Sequence, residues 1–245
     1  EVSNPIFSVR NSYGVSFQPT VTSYSSYSNE NRAVLVFPVI QQYFHNFLEI
    51  FPKKLNLRNQ KNFNVVLLGF LSTTVEVAIY AAAERIIKAV QSLIAPMSQA
   101  IYPNISVKFS KLTAKESVKN LKRISTYYLL PLLVIVLVLA IFKDIIVEIL
   151  GIINVEFTQV YYILIPVILF GSLNYLLGIV GLVNLNKEKW FQKATILGSL
   201  INFILCLTLS SKYGAIGSAI ALTIAEFSVL LIVIGYLYKL SKLTK

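Results

Sequence analysis

Along most of this chain, polar and apolar positions are sorted into blocks. From Phe63 onward, long apolar runs alternate with short charged segments: Phe63 to Leu71 (FNVVLLGFL), Val77 to Ile105, Tyr127 to Phe142 (YYLLPLLVIVLVLAIF), Phe157 to Leu185, Trp190 to Leu209 and Ala215 to Leu240. A helix needs about 20 predominantly apolar residues to cross a bilayer. The pattern therefore predicts about five full transmembrane spans and one shorter stub. Tyr127 and Tyr128, Tyr161 and Tyr162, Trp190, and Tyr236 and Tyr238 fall near the ends of runs, where interfacial aromatic rings anchor a span. The expected fold is all-α, a polytopic membrane helix bundle.

Residues 1–62 read differently. Ser23 to Arg32 (SYSSYSNENR) is polar and has no helical period. Leu35 to Phe51 is more apolar but holds Pro38, Gln41, Gln42, His45 and Glu49, which suits a helix lying at the interface better than one crossing it. A basic, Asn-rich link follows, Lys53 to Asn62. The expected division is a polar, interfacial segment over 1–62 and a transmembrane bundle over 63–245. The chain begins at Glu1 without a Met or a signal peptide, which reads as a fragment of something longer.

Composition sharpens the membrane assignment. The chain is 245 residues long, 56% hydrophobic and 13% charged, against about 25% charged residues in a soluble domain. A single cysteine, Cys206, excludes a disulfide framework and a thiolate metal cluster. A single histidine, His45, argues against a histidine metal site or a Ser-His-Asp triad. Gly-rich phosphate loops, paired-carboxylate motifs and metal-ligand clusters are all missing from the sequence. A non-enzymatic protein without cofactor or metal is the expectation.

The net charge of +11 could suggest a nucleic-acid partner, but its distribution points to the bilayer instead. Lys108, Lys111, Lys115, Lys119, Lys122 and Arg123 face only Glu116 in one connection, and Lys187, Lys189 and Lys193 face only Glu188 in another. The tail adds Lys239, Lys242 and Lys245 with no acid. These basic segments fall on alternate sides of successive spans, as cytoplasmic loops do. That parity places the C-terminus in the cytoplasm.

Candidate chemistry concentrates on the run from Val77 to Ile105. Glu84, Lys88, Gln91, Ala95, Gln99 and Tyr102 recur at three- and four-residue spacing and form one polar stripe on a helix, with Ser98 close to that face and Arg85 beside it. A charge at mid-bilayer costs at least ~2.5 kcal/mol on insertion scales. Such a stripe therefore lines a cavity or meets a partner, and Arg85 with Lys88 would attract an anionic substrate. The plainer reading is an i,i+4 pair in which Glu84 and Lys88 neutralise each other. Glu226, inside the last run, is a candidate proton or cation site, or a group hydrogen-bonded to another helix. Gly171, Asn174, Gly178 and Gly181 share one face and read as close helix packing, with Asn174 bonding across the contact. Asn202 has the same reading, and Gly217, Ala221 and Ala225 read as a packing seam. Pro96, Pro131 and Pro166 interrupt the backbone ladder within three runs.

The stretch VVLLGFLSTTVEVAIYAAAERIIKAVQSLIAPMSQAIYPNIS, Val65 to Ser106, resembles the bacterial polysaccharide (O-antigen) flippases of the Wzx type. The resemblance lies in Tyr80 to Arg85, Pro96, and Tyr102 with Pro103. The closing YGAIGSAIALTIAEFSVLLIVIGY, Tyr213 to Tyr236, is similar to the last helix of that family, Glu226 included. The resemblance implies the second lobe of a two-lobe, twelve-helix transporter of the multidrug/oligosaccharidyl-lipid/polysaccharide exporter superfamily, set in the bacterial inner membrane. It implies flipping of an undecaprenyl-diphosphate-linked oligosaccharide for O-antigen or capsular polysaccharide export, with basic cavity residues engaging the diphosphate. Arg85 and Lys88 are the matching positions here. A polysaccharide polymerase and a chain-length regulator are implied as partners. Residues 1–62 do not resemble the helices that precede this part in the family, so the first lobe is expected to lie outside the chain. Rival readings are a drug/cation antiporter of the same superfamily, a peptidoglycan-precursor flippase, a membrane-embedded polysaccharide polymerase, and a structural membrane subunit.

Overall fold

The computed structural model describes residues 63–151 and 154–243, without the side chains of Leu150 and Leu243. All of them belong to the unit Leu57–Lys245. The expectations for residues 1–62 lie outside the described residues.

Every described element is helical. Helix α1 is Phe63–Leu71, α2 Thr74–Phe109, α3 Ala114–Ile141, α4 Lys143–Leu150 and α5 Val155–Asn174, which runs on as a π-helix through Tyr175–Val183. One uninterrupted stretch of helical hydrogen bonding, Glu188–Leu243, is broken at Gly214, whose φ of 51° and ψ of −126° are not helical. It is therefore two helices, α6 (188–213) and α7 (215–243). Their antiparallel register can be followed from end to end. The Trp190 and Tyr236 rings stack at 4.5 Å, Gly198 lies against Val229, and the Ser210 and Ser218 hydroxyls meet at 2.8 Å.

Local sequence explains where the helices begin and stop. Thr73 and Thr113 each cap a helix, with Glu76 and Glu116 three residues on returning the bond to the cap backbone. Helix α3 ends at Ile141, and two carbonyls near that end are met by α5: the Tyr161 hydroxyl donates to Leu139 O at 3.1 Å and the Tyr162 hydroxyl to Ala140 O at 3.4 Å. These tyrosines do more than sit at an interface; they bond helix-end carbonyls that have lost intrahelical partners.

Ala114–Ile141, Val155–Val183 and the Glu188–Lys242 pair are long and apolar enough to cross a membrane. Helix α2 has 36 residues, about 54 Å at 1.5 Å per residue, and its polar stripe sets it apart in composition. Helix α5 is the centre of the bundle. In its most apolar stretch 61% is buried, against 11% in α3, whose Leu130, Val134, Leu137 and Ile141 face outward as lipid-facing side chains do. Phe157, Tyr161, Leu164 and Ile168 of α5 pack with Tyr80 and Ile87 of α2. Of the expected seam, Gly217 lies against the Leu209 backbone, and the Ala225 carbonyl lies near Gly198, which also packs on Val229.

The basic segments gather at one end. Gly181 lies against Leu121, and Trp190 stacks on Tyr236, which groups the α2–α3 connection, residues 186–193 and the end of α7. The opposite end carries the Gly214 turn, over which the Glu76 carboxylate sits.

Candidate functional site

Between α2, α5, α6 and α7 lies a cavity of about 500 Å³, reached also by Asn64 of α1 and Tyr128 of α3. Its lining is mixed on both sides: Leu164 and Val167 of α5 and Ile87 and Ile94 of α2 are apolar, and Ser172 and Asn174 of α5 are polar. The α2 helix contributes Glu84, Lys88, Gln91 and Ser98. Lys88 Nζ lies 2.8 Å from Glu84 Oε2, with 28% of the lysine and 8% of the glutamate side chain exposed. Gln91 Nε2 donates to Val167 O of α5 at 3.0 Å. Ser98 Oγ and Tyr128 Oη share a hydrogen bond of 2.7 Å, and no α2 residue beyond Ser98 lines the cavity.

Glu226 enters from α7. Asn174 Nδ2 donates to its Oε2 at 2.8 Å and to its backbone carbonyl at 3.0 Å. Gly171 makes room for the Gln91 amide: a Cβ there would stand 2.6 Å from Gln91 Nε2, whereas Glu226 Oε2, at 3.9 Å, would be in ordinary contact. Gly178 lies against Phe191, so the glycines on this face do allow close approach, and Asn174 does bond across it. Deeper in, Asn64 and Asn202 exchange amide hydrogen bonds at 2.7 and 3.4 Å, and Asn64 also donates to Tyr80 Oη at 3.2 Å. These bonds satisfy polar groups that hydrocarbon would otherwise strand.

The sequence-derived candidates divide. Glu84, Lys88, Gln91 and Glu226 come together around the cavity. Arg85, Gln99 and Tyr102 do not line it: Arg85 and Gln99 are exposed and Tyr102 is half-buried. Arg85 is one residue, about 100°, round the helix from Glu84. With Ala89, Pro96, Gln99 and Pro103 it forms a second, exposed stripe, and Ser92, also exposed, lies at the cavity's edge. Gln99 turns toward that stripe and Ser98 takes its place in the cavity. Sequence reasoning passed over Asn64, Tyr128, Thr195 and Ser199 as lining residues. Thr195, Ser199 and Asn202 recur at three- and four-residue spacing, so their stripe was legible; the lone Asn64 and Tyr128 carried no such signal. Among the described residues no group of acidic, histidine or cysteine side chains is placed to hold a metal.

Comparisons with known proteins agree on the kind of protein. The sequence model of the family described as polysaccharide biosynthesis protein matches residues 55–109, which include α1 and α2. A protein of Escherichia coli (strain K12) described as "Putative O-antigen transporter" is 32% identical over 163 residues, 66% of this chain and 39% of its own length. A protein of the same description from Shigella dysenteriae is 29% identical over 173 residues, 69% of this chain and 42% of its own. The chain thus spans about two fifths of the length of these curated relatives. No solved structure matches significantly. The chain is an all-α, multi-pass membrane protein related to the polysaccharide biosynthesis family and to the O-antigen transporters.

Proposed function

We propose that this chain belongs to a transporter that flips an undecaprenyl-diphosphate-linked oligosaccharide across the bacterial inner membrane for O-antigen or capsular polysaccharide export. The observation that carries the reading is the division of charge on α2. Helix α2 buries an ion pair and a glutamine around an internal cavity and presents Arg85 on an exposed small-and-polar stripe. A purely structural membrane helix has no use for either charged face, because both raise the cost of insertion.

In this reading the two basic candidates have different duties. Lys88 is neutralised by Glu84 and holds the cavity together. Arg85 is the cation that meets the diphosphate, since a guanidinium offers paired donors to phosphate oxygens. The basic end of the bundle faces the cytoplasm, in keeping with the positive-inside rule, so the C-terminus is cytoplasmic and loading takes place from that side.

The test is rescue of surface polysaccharide in a flippase-null strain by the complete reading frame that contains this chain. Arg85→Gln should lower export at least tenfold with insertion intact, and Arg85→Lys should restore part of it. Undiminished surface polysaccharide with Arg85→Gln would refute the assignment of Arg85. A complete reading frame that inserts correctly yet rescues nothing would turn the search to drug efflux.

A further inference from the structure

Helices α6 and α7 bring a set of lysines together at the basic end of the bundle. Trp190, near the start of α6, stacks on Tyr236, near the end of α7, so the two rings mark the sides on which these helices face each other. Lys193 follows Trp190 by three residues, and Lys239 follows Tyr236 by three. On a helix three residues stop about 60° short of a full turn. Because the two helices run antiparallel, the same backward step carries both lysines to one side of the pair. Lys189 and Lys242 lie about 100° and about 120° back from the rings by the same count, hence on that side too. All four lysines are exposed, and among the described residues no carboxylate is ion-paired with any of them.

Aromatic rings hold two of these ammonium groups without neutralising them. Lys193 Nζ lies 5.0 Å from the Trp190 ring centroid, and Lys242 Nζ lies 4.8 Å from that of Tyr238. A cation–π contact of this kind positions a charge and leaves ammonium N–H donors for another partner. Deeper along the same side the exposed side chains are hydrocarbon: Ile196 and Leu200 on α6, Ile224 and Leu231 on α7. Gly235 is exposed between Leu231 and Lys239, and a Cβ there would meet nothing within 4 Å. It leaves a notch in this surface one turn below Lys239. The lysines therefore stand at the edge of the apolar span, beside interfacial aromatic rings, at the level of the lipid headgroups.

We infer that this side of the α6–α7 pair is a binding site for an anionic phospholipid. The lipid phosphate lies between Lys193 and Lys239, with Lys189 and Lys242 flanking it, and the glycerol backbone and upper acyl chain lie over Gly235 and Leu231. Charge complementarity selects the headgroup, since basic pockets between helices at a membrane surface take up phosphate-bearing lipids. A zwitterionic headgroup fits less well, because its own ammonium would sit among four others. Continuity with the lipid-facing surface selects a lipid over a soluble anion, which would meet the lysines and leave the notch and the hydrocarbon below it unused. Both helices contribute cations, so a bound lipid ties α6 to α7 at the end opposite their Gly214 turn. The site stands on this geometry and does not depend on the flippase reading.

Trp190 is the single tryptophan of the chain and belongs to the site, so its fluorescence reads occupancy directly. The whole chain is reconstituted in bilayers of phosphatidylcholine and phosphatidylglycerol, with quenching bromine atoms on the acyl chains of one lipid or the other. Phosphatidylglycerol should bind at least about tenfold more tightly than phosphatidylcholine, since each lysine near an anionic surface contributes roughly fivefold. Lys193→Gln combined with Lys239→Gln should lower that ratio at least fivefold. Lys111→Gln combined with Lys115→Gln, an equal loss of charge in the α2–α3 connection, should leave it unchanged. The ratio is taken within each variant, because Lys193→Gln also alters the Trp190 emission. Equal quenching by both lipids in the unaltered chain would overturn the inference and requires no variant. So would an equal fall in both double variants, which marks a diffuse surface potential, or displacement of the lipid by excess inorganic pyrophosphate, which marks a soluble-phosphate site.

Discussion

Replacing Lys88 with methionine keeps an unbranched apolar stem of similar length, with sulfur in place of Cδ, and removes the ammonium 2.8 Å from Glu84. Glu84 is 6% exposed, so its carboxylate is left without its cation in a site that water barely reaches. Breaking a buried ion pair by removing one partner costs roughly 3–5 kcal/mol. The lysine side chain is 28% exposed toward the cavity, which argues for the lower end, ~3 kcal/mol. Protonation of Glu84 offers an escape at about 1.4 kcal/mol per pH unit above an ordinary glutamate's midpoint, so the loss is capped near ~4 kcal/mol at pH 7. That cap falls as the pH drops, and the variant should be least impaired in acid. Removing both charges, Glu84→Gln with Lys88→Met, should cost about 1 kcal/mol or less, because no ion is left uncompensated. The assay is thermal unfolding in detergent at pH 7.5 and pH 5.5. For a chain of this size ~3 kcal/mol corresponds to roughly 6–12 °C. A double variant as damaged as Lys88→Met alone, or a loss independent of pH, would refute the pairing as the source of stability.

Three further outcomes follow from named contacts. Gly171→Ala places a methyl group 2.6 Å from Gln91 Nε2, so it should break the Gln91 bond to Val167 and cost about 1–3 kcal/mol; a crystal structure with that bond intact would contradict this. Gly214→Ala forces a side chain into a positive-φ turn and against the Glu76 carboxylate. It should lower stability by roughly 2–3 kcal/mol, with partial recovery in Glu76→Ala, and additive losses in the double variant would show that the contact is immaterial. Asn202→Leu leaves Asn64 buried without its amide partner and should cost about 1–3 kcal/mol in thermal unfolding. Asn64→Leu combined with Asn202→Leu should be milder than either single change.

The membrane nature of this chain and its apolar helices were legible without coordinates because they depend on length and transfer energy. Sixteen almost wholly aliphatic residues from Tyr127 to Phe142 can be stable in only one kind of solvent, whatever their neighbours. The polar stripe on α2 was legible for a related reason, since helical period is a property of one element. Assigning its members to faces was harder. Glu84 and Arg85 are adjacent in sequence yet face different surroundings, a buried ion pair and an exposed stripe. Only the packing of α5 against α2 decides which side is the inside, and with it which cation is neutralised. The meeting of Asn174 with Glu226 across 52 positions, and of Asn64 with Asn202 across 138, depends on how separate helices dock. Each of these polar residues is locally just an expensive group in an apolar run. Its partner is chosen by tertiary structure, because hydrocarbon leaves no water to take the partner's place.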